Sequence, residues 1–325
     1  MSTIKDVAQR AGVSIATVSY VLNGTKTVTP KTRRKVMDAV KALNYAPNPT
    51  ARSFKTGKKR TIAFIIPDIS NNYFAGITKA VDELLQEHGY SLILSNTNED
   101  PEQEIRQLRH LTSGIADGLI LASTAAGFSQ IRGAIPDDFP VVLIDRRLQD
   151  CPYDIITSSD RSAICSGIRV LAQKGHRRIG YIGDLPRLST ARERLAAFRD
   201  AMQQLSLPLE EDLIVQASSL DHSAYGKTGD LLARGCTAIV AGNNIITLDA
   251  CSYVLHHAKS GAVPVLGYQH KDMPPLFYAD AGVIALNEAD LGRAAGEQIL
   301  RRIKNPDAAQ QEIVISNAYI RTDVQ

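Results

Sequence analysis

From Thr61 onward the chain alternates short apolar runs rich in branched residues with amphipathic stretches, and few architectures satisfy that rhythm. The runs are Thr61–Pro67, Ser91–Ser95, Gly118–Ala122, Val141–Asp145, Ile179–Gly183, Ala238–Ala241 and Val263–Gly267. Between them, stretches such as 76–89 and 102–112 carry apolar residues at helical spacing. Runs apolar on both faces belong to parallel strands covered by helices on either side, an α/β arrangement. The 265 residues after Arg60 exceed one comfortable core, so two similar lobes are expected. Ligand sites at strand ends then face each other across a cleft.

The first sixty residues follow a different rule. They carry 13 Lys+Arg against 2 Asp+Glu, whereas the remainder carries 24 against 32, so a net charge of +3 conceals a basic head on an acidic body. A polyanion is the expected partner of the head alone. Thr3 caps a first helix, with Asp6 placed for a capping box, and Ile4, Val7, Ala8 and Ala11 form its apolar face. Gly12 supplies a turn that needs a positive φ. Ser14 caps a second helix whose Val18, Val21 and Leu22 point inward, and Thr29-Pro30 opens a third with Val36, Val40 and Leu43 inside. This is a helix-turn-helix, in which the start of the second helix enters the major groove of double-stranded DNA. The alternative is a three-helix bundle with a solvated basic surface.

The head resembles that of the lactose/galactose-repressor (LacI/GalR) family of bacterial transcription regulators. Thr3-Ile-Lys-Asp-Val-Ala, Ala11-Gly-Val-Ser, Thr17-Val-Ser, Asn44-Tyr-Ala-Pro-Asn48 and Ala51-Arg-Ser53 carry the likeness. The resemblance implies base reading by Ile15 and Ala16, both apolar and suited to thymine methyl groups. It implies further DNA contacts from Tyr20 and Lys26, with Ser14 also at the DNA, while Thr3 and Thr17 suit phosphates. Residues 47–60 read as a polar linker on composition. By resemblance they form a hinge that orders on DNA, with Arg52 in it and Phe54 as a minor-groove wedge. The expected organisation is a helix-turn-helix domain over 1–46, a hinge over 47–60, and an effector-binding and dimerisation domain over 61–325. Within the last, the lobe boundary falls near 158, with later crossovers near 286 and 314.

The body resembles the family's regulatory domain, shared in fold with periplasmic sugar-binding proteins. Pro67-Asp68, Asn71-Asn-Tyr-Phe74, Ile144-Asp-Arg146, Gly175-His-Arg-Arg-Ile179 and Arg194-Leu-Ala-Ala-Phe198 stand in family order. The resemblance implies an effector pocket with Asn71, Tyr73 and Phe74 on one wall and Asp145 and Arg146 hydrogen-bonding a polyhydroxyl ligand. Arg194, Asn243 and Gln269 would close it from the other lobe. Carboxylate, amide, guanidinium and aromatic faces suit a sugar. Read residue by residue, Tyr73 and Phe74 fit ordinary packing, Asp145 a cap paired with Arg146 or Arg147, and Arg194 a solvated charge. The family often has Asn-Asp where this chain has Asn243-Asn244 and usually an aspartate where Gln269 stands, and Asp249 stands where glycine is usual. Loss of two carboxylates beside retained arginines points to an anionic effector, a sugar acid or sugar phosphate; a purine is the non-sugar alternative.

The sequence holds none of the phosphate-loop, dinucleotide, nucleophile-elbow or H-E-x-x-H patterns, so no enzymatic activity and no cofactor are expected. Adjacent His256 and His257 diverge on a helix and cannot share one metal, and Cys151, Cys165, Cys236 and Cys251 lack close-pair spacing. No secretory signal or membrane-length apolar run is evident, so a cytoplasmic protein without membrane attachment is expected. The full expectation is an allosteric repressor, a homodimer on a pseudo-palindromic operator, ending near Tyr319-Ile-Arg321 without an appended tetramerisation helix. The alternative is an architectural DNA binder with a ligand-blind body.

Overall fold

The computed structural model describes residues 2–24, 26–45, 57–257, 263–271 and 281–321. It separates into two compact units between Lys59 and Arg60. In the first, α1 (Ile4–Ala11), α2 (Ile15–Asn23) and α3 (Pro30–Ala42) enclose a small core of Val7, Ala8, Ala11, Val18, Val21, Val36 and Ala39. Each helix start is closed by a hydroxyl. Thr3 and Asp6 form a reciprocal capping box, Ser14 Oγ accepts from the Thr17 amide, and Thr29 Oγ1 accepts from that of Thr32. Gly12 ends α1 at φ 64, a left-handed conformation that a side chain would strain.

The second unit contains two sheets of six strands each among the described residues, with helices on both faces. One sheet runs in the order β11-β5-β4-β3-β1-β2 and is parallel throughout. Its strands are β1 (Thr61–Ile66), β2 (Ser91–Asn96), β3 (Gly118–Leu121), β4 (Val141–Ile144), β5 (Asp154–Ser159) and β11 (Glu312–Ser316). The other runs β12-β10-β9-β8-β6-β7 and is parallel except for β12. It comprises β6 (Ile179–Gly183), β7 (Ile214–Gln216), β8 (Ala238–Ala241), β9 (Val265–His270), β10 (Val283–Leu286) and β12 (Ala318–Ile320).

The chain passes between lobes three times. It leaves the first sheet after β5, returns after β10 and crosses again between β11 and β12. Sequence patterning did not mark β5, β7, β10, β11 or β12. Three of these, β7, β11 and β12, are edge strands of three to five residues, β10 is an inner strand of only four, and β5 ends in polar Thr157, Ser158 and Ser159. Such segments are too short or too polar for a periodic signal.

The helices that cover the sheets and position the cleft are α4 (Asn72–Glu87), α5 (Pro101–Thr112), α6 (Arg161–Gln173), α7 (Ser189–Gln204), α8 (Ala224–Ala233), α9 (Asn244–His257) and α10 (Glu288–Lys304). Helix α10 packs on α4 through two glycines one turn apart. A Cβ at Gly292 would lie 2.6 Å from the carbonyl oxygen of Ile77, whereas one at Gly296 would meet the far end of the Leu84 side chain. Alanine favours a helix by about 1 kcal/mol over glycine, but a backbone carbonyl cannot yield as a side chain can. Gly292→Ala is therefore expected to destabilise by about 1–3 kcal/mol and Gly296→Ala by less, measured by urea unfolding. Equal effects would contradict this packing.

Candidate functional site

The cleft between the two lobes is lined from the first by Asp68, Asn71, Tyr73, Phe74, Glu99, Asp145 and Arg146. Asp184, Leu188, Thr190, Arg194, Ser219, Leu220, Asn243, Asn244 and Tyr268 line it from the second. Helix α4 begins at the rim: Asn71 caps it through Oδ1 to the Tyr73 amide at 3.0 Å, which turns Tyr73 and Phe74 into the cleft floor. The two rings meet edge to face at 5.3 Å. The Tyr73 hydroxyl donates to Asp145 Oδ1 at 2.9 Å. Asp145 follows β4 and holds φ 67, an uncommon conformation for a residue with a Cβ, at the functional end of a parallel strand.

Burial pushes the Asp145 carboxyl upward, opposed by Arg146, Arg194 and the Tyr73 hydroxyl. Burial, with Asp145 adding to it, also drives Tyr73 well above the usual phenol range. Arg146 is clamped by Glu99, whose two oxygens lie 2.5 and 3.0 Å from its terminal nitrogens. Although burial opposes its charge, Glu99 and Asp145 hold the Arg146 guanidinium protonated. Its Nε is buried without a hydrogen-bond partner among the described residues and lies 3.8 Å from Asp145 Oδ2. These two atoms are a donor and an acceptor side by side, the pattern that meets a hydroxyl.

In the other lobe, Arg194 of α7 donates to Asp160 Oδ2 at 2.6 Å and to the Gly242 carbonyl at 2.9 Å, with its guanidinium 4.4 Å from the Tyr268 ring centroid. Asn243 donates to Asp184 Oδ2 at 2.6 Å and caps α9 through the Ile246 amide. The cleft is bridged by Asn244 Nδ2 to Asn71 Oδ1 at 2.8 Å and by Arg187 to Glu99 at 3.4 Å. Neither arginine of the cleft is left over: Glu99 and Asp160 neutralise them.

Seven of the eight residues expected in the pocket, Asn71, Tyr73, Phe74, Asp145, Arg146, Arg194 and Asn243, lie against the cleft. Gln269 is buried on β9 beside Tyr268, and of the two Tyr268 lines the cleft. Sequence reasoning missed Glu99, Asp184 and Tyr268. Asp184 ends β6 in the same way that Asp145 ends β4, and the position just beyond a parallel strand is the signal that marks it. Asp249 is buried and pairs with His222 Nδ1 at 2.9 Å, outside the cleft lining.

In the head, Ser14, Ile15 and Ala16 are exposed on the first turn of α2, with Ile15 44% accessible. Thr3 and Thr17 spend their hydroxyls locally, on Asp6 and Ser14. Lys26 Nζ lies 5.0 Å from the Tyr20 ring centroid, a cation–π contact. Lys31, Arg33, Arg34 and Lys35 are exposed at the start of α3. Arg52 and Phe54 lie outside the described residues. Among the described residues, no group of three metal-ligating side chains comes together, and no helix is long and apolar enough to cross a membrane.

Comparison with known proteins separates the chain at the same place. Residues 3–48 match the family described as bacterial regulatory proteins, lacI family, and residues 59–322 match periplasmic binding proteins and sugar binding domain of LacI family. The HTH-type transcriptional repressor PurR of Mannheimia succiniciproducens is 32% identical over 97% of this chain and 96% of its own. The ribose operon repressor of Haemophilus influenzae is 29% identical over 97% and 96%. Among solved structures, a lac repressor dimer bound to operator and an anti-inducer superposes with a TM-score of 0.85 at 21% identity, covering 100% of this chain and 99% of that one. The fold is therefore that of the lac repressor, a helix-turn-helix domain followed by a two-lobed periplasmic-binding-like domain. With an exposed recognition helix ahead of a cleft built at strand ends, and matches to both family domains across nearly its whole length, the chain belongs to the LacI family of DNA-binding transcription regulators.

Proposed function

We propose that the protein is an effector-controlled repressor, a homodimer that binds a pseudo-palindromic operator through α2 and senses a hydroxyl-bearing small molecule, sugar or sugar derivative, in the cleft. The observation that carries this reading is the pair of opposed strand-end walls. Asp145 and Arg146 line one wall as a carboxylate beside a guanidinium, and Asp184, Asn243 and Arg194 face them from the other. A ligand that touches both walls fixes their spacing and shifts the population of lobe arrangements. In this reading residues 1–46 bind DNA, 47–60 form a hinge in which Arg52 and Phe54 act on the minor groove, and 61–325 sense the effector and dimerise. Such a protein works in the cytoplasm, where its operator is.

Two features support dimerisation. Helix α9 buries Ile246, Ala250 and Val254 on one face, while Leu248 and Leu255, seven residues apart on the other, are 53% and 52% exposed. An exposed pair of leucines on one helix face suits a partner surface. In the first lobe, exposed Ile69 lies with Leu92 and Leu94 in an apolar groove against α4. A purine effector is the second reading, favoured by the several relatives named PurR.

Three substitutions check the proposal. Substituting Arg33→Gln should weaken all duplexes alike and reduce the salt slope of binding by about 1. Ile15→Ala should instead weaken the specific operator more than random duplex, and a uniform loss would contradict base reading. Asp145→Asn should leave operator binding intact while abolishing the effector's influence on it. Because burial raises the folded pKa of Asp145, this group adds stability below its unfolded pKa near 3.9 and opposes folding once pH exceeds the folded value. Asp145→Asn should thus melt no lower than wild type at pH 7, by scanning calorimetry. A lower melting temperature with unaltered effector response would remove Asp145 from the site.

A further inference from the structure

One carboxylate in the cleft is marked by no sequence pattern and is unused in the effector reading above. Asn98 and Glu99 both adopt left-handed backbone, at φ 52 and 57. Two consecutive residues with side chains in that region are held only by their surroundings. The Glu99 amide donates to the Pro67 carbonyl at 3.1 Å, and Asn96 Nδ2 donates to Asn98 Oδ1 at 2.6 Å. The turn drives the Glu99 side chain inward, where 7% of it remains exposed. There it occupies both terminal nitrogens of Arg146, one of which also reaches the Ser123 carbonyl at 3.3 Å. From the opposite lobe Arg187 touches the same carboxylate at 3.4 Å.

We infer that Glu99 is a specificity-determining residue, a resident carboxylate seated in the guanidinium fork that an acidic effector would need. It makes the cleft select a neutral polyhydroxyl ligand over the acid or phosphate of the same ring. The inference rests on the reading of this cleft as the effector site. Asp68, Glu99, Asp145 and Asp184 face the cleft against two guanidiniums, and Asp160 already holds the second of these. An anionic ligand therefore finds no cation without a carboxylate partner. It would either share the Arg146 fork with Glu99, setting like charges side by side, or expel Glu99 and leave it with Arg187, which is 40% exposed. Both routes disfavour the acid, and rejection by an unpaired or like charge is a strong source of discrimination. A neutral ligand meets the carboxylate and amide groups of the walls without disturbing the pair.

The test uses the full-length protein and matched pairs: glucose with glucuronate, galactose with galacturonate, ribose with ribose 5-phosphate. Isothermal calorimetry on wild type, Glu99→Gln and Glu99→Ala gives the ratio of neutral to acid affinity for each pair. Wild type is expected to bind at least one neutral member, and its acid at least about tenfold more weakly. In both variants that ratio should fall by about tenfold or more, even if loss of the Arg187 contact lowers every affinity. Circular dichroism confirms that each variant is folded, and the isosteric glutamine preserves the shape of the turn. A ratio unchanged by either variant, or wild type binding an acid as tightly as its neutral partner, overturns the role of Glu99 and leaves the effector site standing. Folded protein that binds no member of any pair overturns the sugar reading of the cleft, and this inference with it.

Discussion

A buried carboxylate, Asp160, accepts hydrogen bonds from three directions at the point where the chain first changes lobe. Arg194 donates at 2.6 Å, the Tyr268 hydroxyl at 3.1 Å and Asn317 Nδ2 at 2.6 Å. Asn317 lies at the third crossing, between β11 and β12, where its own amide donates to the Ser159 carbonyl at 3.0 Å. Its Oδ1 accepts from the amide of Asn287, at the second crossing, at 3.0 Å. All three strands of the hinge are thus tied through two side chains. Removing one partner of a buried pair of this kind costs about 3–5 kcal/mol, because the other charge is left without compensation. The same aspartate orients Arg194 toward the cleft. The hinge and the ligand wall therefore share one anchor, and a ligand that draws on Arg194 also acts on the pivot.

Against that fixed pivot, the contacts that span the cleft are individually weak. Asn244 to Asn71 is a neutral amide pair, Arg187 is substantially exposed, and Arg147 reaches across to Glu193, itself 47% exposed, at 3.1 Å. The Arg147 amide adds one bond to Ser189 Oγ at 2.8 Å. A neutral hydrogen bond contributes about 0.5–1.5 kcal/mol and an exposed ion pair about 0–1 kcal/mol. A ligand with a few differential contacts is therefore enough to reset the balance between lobe arrangements. Strong bonds lie at the hinge and weak ones across the mouth, which is the distribution that permits opening without loss of the fold.

Much of this was legible in the sequence, for identifiable reasons. Thr3, Ser14 and Thr29 each precede a helical apolar period, and a hydroxyl at that position has one physical use. The branched runs at Thr61, Gly118 and Val141 could only be buried strands. Asp145 and Arg146 followed such a run, so their place at the cleft came from strand-end geometry together with family resemblance. Glu99 was invisible for the opposite reason. It sits in a polar turn just before Asp100 and Pro101, the cap and first residue of α5, and local pattern assigns it only to a helix approach. Its direction depends on left-handed φ values that no periodicity encodes.

The link from cleft to head begins at a point that cannot slide. The Arg60 amide donates to Asp117 Oδ2 at 2.7 Å, its carbonyl accepts from the Ser91 amide at 2.9 Å, and its guanidinium lies 5.1 Å from the Tyr90 ring centroid. The next residue begins β1, a central strand of the first lobe bonded to β2 and β3. The first residue of the body is therefore rigidly part of that lobe, not a frayed end of the linker. Any rotation of this lobe about the Asp160 pivot is carried to residue 60 undiminished. Under the proposed function, coupling of effector to operator would need only a stiff lobe, a tied hinge and a fixed point of exit.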